Sequence, residues 1–595
     1  MLASGQCRRA QRVFLMVMAA CVVLLLRLYD LQCRRFDLYT MRARSQHNQR
    51  VRILAWRGKI YDRHGNVLAM SVARPALWAD PGIITDAART ARVVSDITGL
   101  AYEQVYGRIT NRTRRFVWLS KQITDAQAMQ LRVLVKRREL QGVMVEELEH
   151  RVYPKGSLLG NVLGFCNAEG RGAEGIELAA ERYLGGVDGY LMARRDNKRR
   201  IYVAPEWVDK LSLCEPEDGH DLYVTIDEYL QHVAERELAA ACEEHRPTNA
   251  VALLMDPRTG HILAYALWPP FDPNDRAAIN AGRFRNHAAI DVYEPGSTMK
   301  AFTGAIALEL GVMDLNTPIY CENGVWQALP SYTLHDDHPF GTITFRQVIQ
   351  YSSNIGAAKI AQQFDPQVYY NFLTRFGFGA RTRTPLIVSE SPGLLRPVSQ
   401  WTRHSMVALP MGHEIGVTSL QMLSAMAVIA NYGKRVQPTL VKRIQTAKGA
   451  LSPEARAFNY FEPLVLDEQV ISSNTCAMIT EALCSVTDDD GTGRLADIPG
   501  YKVAGKTGTA QIARGGRYTR TYVASFAGFV PAHRPALCAV VMLNDPKTRQ
   551  YYGGLIAAPV FQKICSEALT YLNVPKDEPA TLPGEHEAAT VARAM

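Results

Sequence analysis

Residues Val13 to Leu26 (VFLMVMAACVVLLL) form an uninterrupted run of fourteen apolar side chains, and this run decides where the rest of the chain can fold. Fourteen residues alone are short for a bilayer span, but the pattern continues through Leu28, Tyr29 and Leu31, with Arg27 long enough to snorkel. About 19 residues rising 1.5 Å each then cross the hydrocarbon core. Arg8, Arg9 and Arg12 precede the run and favour a cytoplasmic N-terminus, with Arg27, Arg34 and Arg35 weakening the asymmetry. The expectation is one signal anchor: residues 1–12 in the cytoplasm, 13–31 in the membrane, and the bulk of the chain outside the cytoplasm. A cleaved signal peptide, or lipoprotein processing at Met18-Ala19-Ala20-Cys21, is the rival reading; the apolar run continues past Cys21 and favours the anchor. A buried soluble helix fits worse, because nothing nearby supplies a polar face.

The 595 residues correspond to about three or four units. With 21% charged and 47% hydrophobic residues the chain has a globular balance, which excludes a disordered or collagen-like protein. The net charge of +9 is too diffuse over this length to argue for nucleic acid, and suits work near an anionic surface. Eleven cysteines show no C-x-x-C pair, which argues against structural zinc. Cys476 and Cys484 lie eight apart in a segment of helical spacing, hence about 12 Å apart and beyond the roughly 7 Å limit for a disulfide. Most of the cysteines read as small buried hydrophobes.

From 49 to 219 the chain is rich in Arg and Gly, and short strands and turns are expected to dominate. Its distinctive pieces are Arg57-Gly58-Lys59-Ile60-Tyr61-Asp62-Arg63, Arg151-Val152-Tyr153-Pro154-Lys155-Gly156, and Gly170 to Gly189. In the last, Glu174-Gly175-Ile176-Glu177 opens a helix with Leu178, Tyr183 and Leu184 on its apolar side. None of these residues forms a catalytic constellation, so a binding or spacer module is the reading. The basic cluster Arg194, Arg195, Lys198, Arg199 and Arg200 reads as a solvated loop. The texture changes at His220-Asp221, where a strand (DLYVTID) and a helix begin. Two strands at 250–256 and 261–267 follow, joined by the turn Pro257 to Gly260. A long helical stretch then leads to strands at 502–513, 521–530 and 537–544 and a final helix from Pro559, with Val560, Phe561, Ile564, Ala568 and Leu572 on one face. Strands at both ends with helices between describe an α+β domain: an antiparallel sheet with a helical insertion. The residues from 573 to 595 read as a disordered tail.

Within 220–572 three strings form one constellation: Ser297-Thr298-Met299-Lys300, Ser352-Ser353-Asn354 and Lys506-Thr507-Gly508. A lone S-x-x-K is weak, and reads equally as a helix cap followed by a solvated lysine. The trio in this order is far more specific, and its spacings of 55 and 154 residues leave room for a helical lobe. Pro295-Gly296 halts the preceding segment; Ser297 and Lys300 then sit three apart on one helical face. A serine hydroxyl needs a base to become a nucleophile, and a lysine that is desolvated or beside another cation can lose its proton. Lys300 and Lys506 can depress one another. Ser352 can relay protons, while Asn354 offers its amide to a substrate carbonyl and to Lys300. In Lys506-Thr507-Gly508-Thr509 the glycine lets a substrate backbone lie close, and the lysine and hydroxyls suit a carboxylate. The backbone amides of Ser297 and Thr509 are candidates for an oxyanion hole.

With these strings, RGKIYDRHGNVLAMSVARPALWADP (57–81), RVYPKGSLLGNVLGF, GAEGIE, GTG (491–493), SFAGFVPA and YYGGLIAAPVF, the chain resembles the class B penicillin-binding proteins from the anchor to the last helix. WADP and His335-Asp336 ahead of the SSN string are similar to the septal, FtsI-like branch. Asn161 departs from the His that many relatives carry in the pedestal motif. No glycosyltransferase segment precedes the transpeptidase and no repeated domain follows it, so the bifunctional arrangement does not fit. The resemblance implies an anchor, an extended pedestal at 49–219 and a serine β-lactamase-like transpeptidase domain at 220–572. It implies a catalytic set of Ser297, Lys300, Ser352, Asn354 and Lys506, with Thr507, Gly508 and Thr509 binding substrate. The reaction would cross-link peptidoglycan stem peptides through an acyl-Ser297, and β-lactams would acylate the same serine. No cofactor and no metal is needed, the HDDH string at 335–338 reading as a polar loop and Asp488-Asp489-Asp490 as a solvated turn. The implied partners are the membrane, a glycosyltransferase and other division proteins, with nucleic acid excluded, and the implied location is the bacterial inner membrane with a periplasmic catalytic domain. A divisome scaffold or β-lactam sensor that binds without turnover is the alternative; a serine β-lactamase is disfavoured by the anchor and pedestal.

Overall fold

The computed structural model describes residues 2–39, 41, 48–195, 201–202, 213–280, 283–330, 332–446, 462–515 and 517–577. They fall into two compact units: the residues up to Trp56 with Gly186–Gly219, and Arg57–Gly185 with His220 onward.

In the first unit, helix α1 (Leu2–Tyr29) continues into a π-helical turn, Asp30–Arg34. Arg12–Arg34 is the one segment among the described residues long and apolar enough to cross a membrane, slightly longer than the 13–31 expected. Arg27 is answered one turn later by Asp30, Nη1 to Oδ2 at 3.1 Å, so the charge inside the span has a local partner. Strand Asn48–Ile53 pairs antiparallel with Gly189–Arg195, which also pairs with Ile201–Tyr202 and Leu213–Cys214. Lys198, Arg199 and Arg200, the side chains of Arg194 and Arg195, and residues 578–595 of the expected tail lie outside the described residues.

The second unit is organised by a five-stranded antiparallel sheet. Its strands are β1 (Asn249–Met255), β2 (Ile262–Trp268), β3 (Ala504–Arg514), β4 (Arg517–Val530) and β5 (Leu537–Asn544), in the order β2-β1-β5-β4-β3. The main helices are α2 (Glu228–His245), α3 (Met299–Glu309), α4 (Asn354–Ala361), α5 (Ser419–Ala430), α6 (Ser473–Cys484) and α7 (Ala558–Tyr571). Strand β1 is buried on both faces. Ala250, Ala252 and Leu254 pack with α2 and α7, whereas Val251, Leu253 and Met255 face the helical lobe of α3 to α6. This explains why β1 reads as a continuous apolar run rather than an alternating one. Helix α5 lies wholly inside that lobe, started by a capping box between Thr418 and Gln421.

Residues 57–185 contribute to two cores: Ile60, Leu68, Tyr153 and Ile176 are buried in one cluster with α3 and α5, while Leu77, Val94, Ile109, Leu131 and Val143 belong to a separate cluster drawn from this segment alone. Strand Asp221–Val224 pairs parallel with Ile60–Tyr61 and antiparallel with Val441–Gln445, so one sheet runs across the change of texture at residue 220. The expectation of short strands and turns over 49–219 is corrected. Val67–Ala79 is a 13-residue strand paired over ten residues with Val143–Val152, and Ala87–Thr98 and Asp125–Lys136 are twelve-residue helices. Small residues and Pro75 interrupt the hydrophobic alternation of the long strand and hide it, while Asp86 starts the first helix by accepting from Arg89 N. The helix expected from Gly175 breaks into Gly175–Ala179 and Glu181–Leu184. Its buried stripe is Ile176, Ala180, Tyr183 and Leu184, and Leu178 faces outward. At its centre Glu177, fully buried, accepts from Arg57 Nε at 2.8 Å and Arg151 Nε at 2.7 Å, and the two arginines hold its pKa below the usual carboxylate value against the opposing effect of burial.

Among the described cysteines none is paired; Cys166, Cys242, Cys321, Cys476, Cys484, Cys538 and Cys565 are buried. Cys476 and Cys484 sit at opposite ends of α6, as their spacing implies.

Candidate active site

Ser297 stands in a single 3-10 turn, Gly296–Thr298, that runs directly into α3. The turn is fixed by main chain. Gly296 adopts φ +58°, its N–H donates to Gly412 O at 3.3 Å, and Thr298 Oγ1 donates to Pro295 O at 2.8 Å. A Cβ on Gly412 would lie 2.2–2.8 Å from backbone atoms of Gly296, so the two chains touch without side chains between them. Gly296, Thr298, Met299 and Lys300 are buried while Ser297 is partly exposed, which turns one hydroxyl outward from an otherwise sealed turn.

One helical turn on, Lys300 is 0% exposed, and its Nζ donates to Ser352 O at 2.5 Å, Ser352 Oγ at 3.1 Å and Asn354 Oδ1 at 2.7 Å. Three acceptors take up the three protons of an ammonium; loss of one proton leaves a lone pair on nitrogen. Burial pulls the Lys300 pKa down from 10.5 to about 8, with Asp336 and Asp337 opposing the fall. Ser352 holds its two acceptors toward the lysine from a left-handed conformation, φ +62°, that a non-glycine residue adopts only at a cost of about 1–2 kcal/mol. Ser353 next to it is the N-cap of α4, accepting from Gly356 N at 2.9 Å.

The third string lies on β3, the edge strand of the sheet. Lys506 is 0% exposed, and its pKa is held well below the ordinary lysine value, by burial first and then by the positive charge of Lys300. Its Nζ reaches Thr507 Oγ1 at 3.4 Å. Thr507 Oγ1 donates to Thr492 Oγ1 at 3.2 Å, which donates to Gln350 O at 3.3 Å and ties the strand to the SSN side. Thr509 Oγ1 accepts from Gly553 N at 3.0 Å. Gly508 packs on the serine turn, where an added Cβ would lie 2.9 Å from Pro295 O and 3.0 Å from Thr298 Cγ2. The three strings therefore converge: Ser297 and Lys300 on one turn, Ser352 and Asn354 around the lysine, and Lys506 to Thr509 along the adjoining edge.

Four carboxylates make contacts around this arrangement that the sequence reading did not show. Asp336 binds the start of α4. Glu294, just before Pro295, accepts from Glu414 N at 3.0 Å and Tyr518 Oη at 3.1 Å and lies 2.8 Å from His413 Nδ1, joining the serine turn to β4. Asp490 accepts from Gln350 Nε2 at 2.8 Å and Tyr351 Oη at 2.9 Å, and Asp488 pairs with Lys502 at 2.7 Å. The 488–490 string is an exposed turn, as its composition implies, whose Asp488 and Asp490 also hold side-chain partners. Asn161, the departure noted in the sequence, is buried and donates from Nδ2 to Arg283 O at 3.2 Å.

Comparison with known proteins identifies the family of the fold. Residues 250–566 match the family model for the penicillin-binding protein transpeptidase domain, and 52–224 that for the penicillin-binding protein dimerisation domain. Peptidoglycan D,D-transpeptidase FtsI of Escherichia coli is 31% identical over 88% of this chain and 84% of its own length. The probable peptidoglycan D,D-transpeptidase PenA of Neisseria gonorrhoeae is 29% identical over 89% and 86%. Among solved structures, penicillin-binding protein 3 of Mycobacterium tuberculosis complexed with aztreonam aligns at a TM-score of 0.67 and 26% identity, covering 89% of this chain and 99% of that one. The chain belongs to the class B penicillin-binding proteins, of the FtsI-like kind.

Proposed function

We propose that this protein is a peptidoglycan D,D-transpeptidase in which Ser297 is the nucleophile and Lys300 the base that activates it. The observation that carries the reading is the buried Lys300, three residues after Ser297, with its Nζ held by Ser352 and Asn354 at 2.5–3.1 Å and its pKa lowered to about 8. Neutral Lys300 takes the Ser297 proton as the oxygen attacks the carbonyl of a terminal D-Ala-D-Ala bond. The developing oxyanion is received by the N–H groups of Ser297 and Thr509. The proton returns through Lys300 and Ser352 to the leaving D-Ala nitrogen. An amine of a neighbouring stem then attacks the acyl-Ser297, giving the cross-link and freeing the serine. Lys506, Thr507 and Thr509 hold the terminal carboxylate, and the free edge of β3 at Gly508 takes the stem backbone as an added strand. A β-lactam enters the same path and stops at the acyl-enzyme.

The chain divides functionally into a cytoplasmic segment 1–12, a membrane anchor 13–31, a pedestal 49–219 and a transpeptidase domain 220–572, with 573–595 as a tail. The N-terminus lies in the cytoplasm and the catalytic domain in the periplasm, following the arginines before the anchor. The FtsI-like kinship supports work at the division septum, with a glycosyltransferase as partner. Incubation of the full-length protein with a fluorescent penicillin tests the chemistry: wild type labels covalently, and Ser297→Ala does not. Equal labelling of the two refutes the nucleophile. Depletion in cells yields filaments if the role is septal, and round cells if it is in the side wall.

A further inference from the structure

Lys300 can act as a base only if Ser352 and Asn354 are held against it, and neither is a residue that a helix or strand fixes by itself. The first sits in a left-handed bend and the second at the first turn of α4. What holds them comes from the loop after strand Tyr332–His335. Asp336 Oδ1 accepts from the backbone N–H of Asn354 at 2.5 Å and of Ile355 at 3.0 Å, and Oδ2 accepts from Ser353 Oγ at 2.6 Å. The preceding carbonyl, His335 O, accepts from Asn354 Nδ2 at 2.9 Å. An amide fixed at its nitrogen end has its oxygen end fixed too, so Asn354 Oδ1 is turned to Lys300 Nζ at 2.7 Å. One carboxylate and one carbonyl thus grip the main chain, the cap hydroxyl and the side chain of a single turn.

We propose that Asp336 is a positioning residue for the acylation step, holding the Ser352–Asn354 turn on Lys300 and supplying the negative charge that balances the lysine. This rests on the roles proposed above for Ser297 and Lys300. The charged and titratable groups acting on Lys300 are Asp336 and Asp337 of this loop, the Cys321 thiol, and Lys506 of β3. Asp336 leads the charges that oppose the effect of burial, so its neutralisation lets Lys300 lose its proton at lower pH.

The test uses the full-length protein, a fluorescent penicillin, acylation rate constants across pH, and thermal unfolding. Asp336→Asn keeps the shape and an acceptor but removes the charge; Asp336→Ala removes all the contacts. Asp336→Asn is expected to acylate about tenfold more slowly, with the acid limb of its pH profile moved down by about one unit. Asp336→Ala is expected to lose about 100-fold. The proposal is overturned if Asp336→Asn keeps the wild-type rate and limb. It is also overturned if both variants lose rate only in step with a lowered unfolding temperature while the limb stays in place, because Asp336 then serves the fold alone. Failure of the underlying reading is separately visible, as wild type and Ser297→Ala labelling alike.

Discussion

The contact between Gly508 and the serine turn allows a quantitative test. In Gly508→Ala the new Cβ would lie 2.4 Å from Ser525 Oγ, 2.9 Å from Pro295 O and 3.0 Å from Thr298 Cγ2. Against an ordinary contact of 3.4 Å, these fall short by about 1.0, 0.5 and 0.4 Å. The Ser525 hydroxyl can swing aside by a rotamer change, although the side chain is buried. The Pro295 carbonyl cannot, because Thr298 Oγ1 donates to it at 2.8 Å and any movement carries Ser297 along. The relief must therefore come from parting β3 and the turn by about half an ångström, at an overpacking cost of about 1–3 kcal/mol. Since a misplacement of about 1 Å costs about 100-fold in rate, half of that costs about tenfold. The assay is the second-order rate constant of acylation by a fluorescent penicillin, with thermal unfolding in parallel. The control is Gly107→Ala, in the helix Tyr102–Ile109, where a Cβ meets nothing within 4 Å. That change should stabilise by about 0.5–1 kcal/mol and leave acylation alone. If Gly508→Ala acylates within about twofold of wild type, the strand and turn are not in the close register argued here.

Acylation should rise with pH through about 8, as Lys300 loses its proton; a limb below pH 6 would assign the base to another group. Because the folded pKa of Lys300 lies below its ordinary 10.5, the unfolded chain binds the extra proton between about 8 and 10.5. The stability contributed by this group therefore rises with pH across that window and is constant below it, which denaturant titrations at pH 7 and pH 9.5 can compare. Glu177→Gln should cost about 3–5 kcal/mol, since it strips the buried counter-charge from Arg57 and Arg151; a change below about 1 kcal/mol in denaturant unfolding would refute that. As its folded pKa is lowered, Glu177 contributes stability above the usual carboxylate range and loses it as the pH falls through the depressed value.

What could be read beforehand was whatever is carried by neighbours in sequence. The S-x-x-K spacing places Ser297 and Lys300 on one turn, the hairpin at 257–260 joins β1 to β2, and β5 begins and ends at the residues its apolar run marks. The carboxylates that hold the site were not readable. Asp336 reaches Ser353 across 17 residues and Glu294 reaches Glu414 across 120, and a carboxylate meeting a distant backbone amide leaves no periodic trace. Asp490 sits in the exposed turn expected of it, but its partners Gln350 and Tyr351, some 140 residues away, could not be read for the same reason. The long strand Val67–Ala79 was hidden by its own composition, and Leu178 was placed inward by hydrophobicity alone although it falls off the stripe of Ile176, Ala180 and Tyr183.

The bed beneath Ser297 is main chain against main chain. Gly412 abuts Gly296, and a Cβ on Gly553 would lie 2.3 Å from both Gly508 O and Ser525 O. Where backbones touch directly, there is no graded series of side chains through which heritable variation can adjust the spacing; each position has one tolerated letter. Exposed side chains such as Tyr552 and Leu555 keep the graded choice of size that these glycines lack.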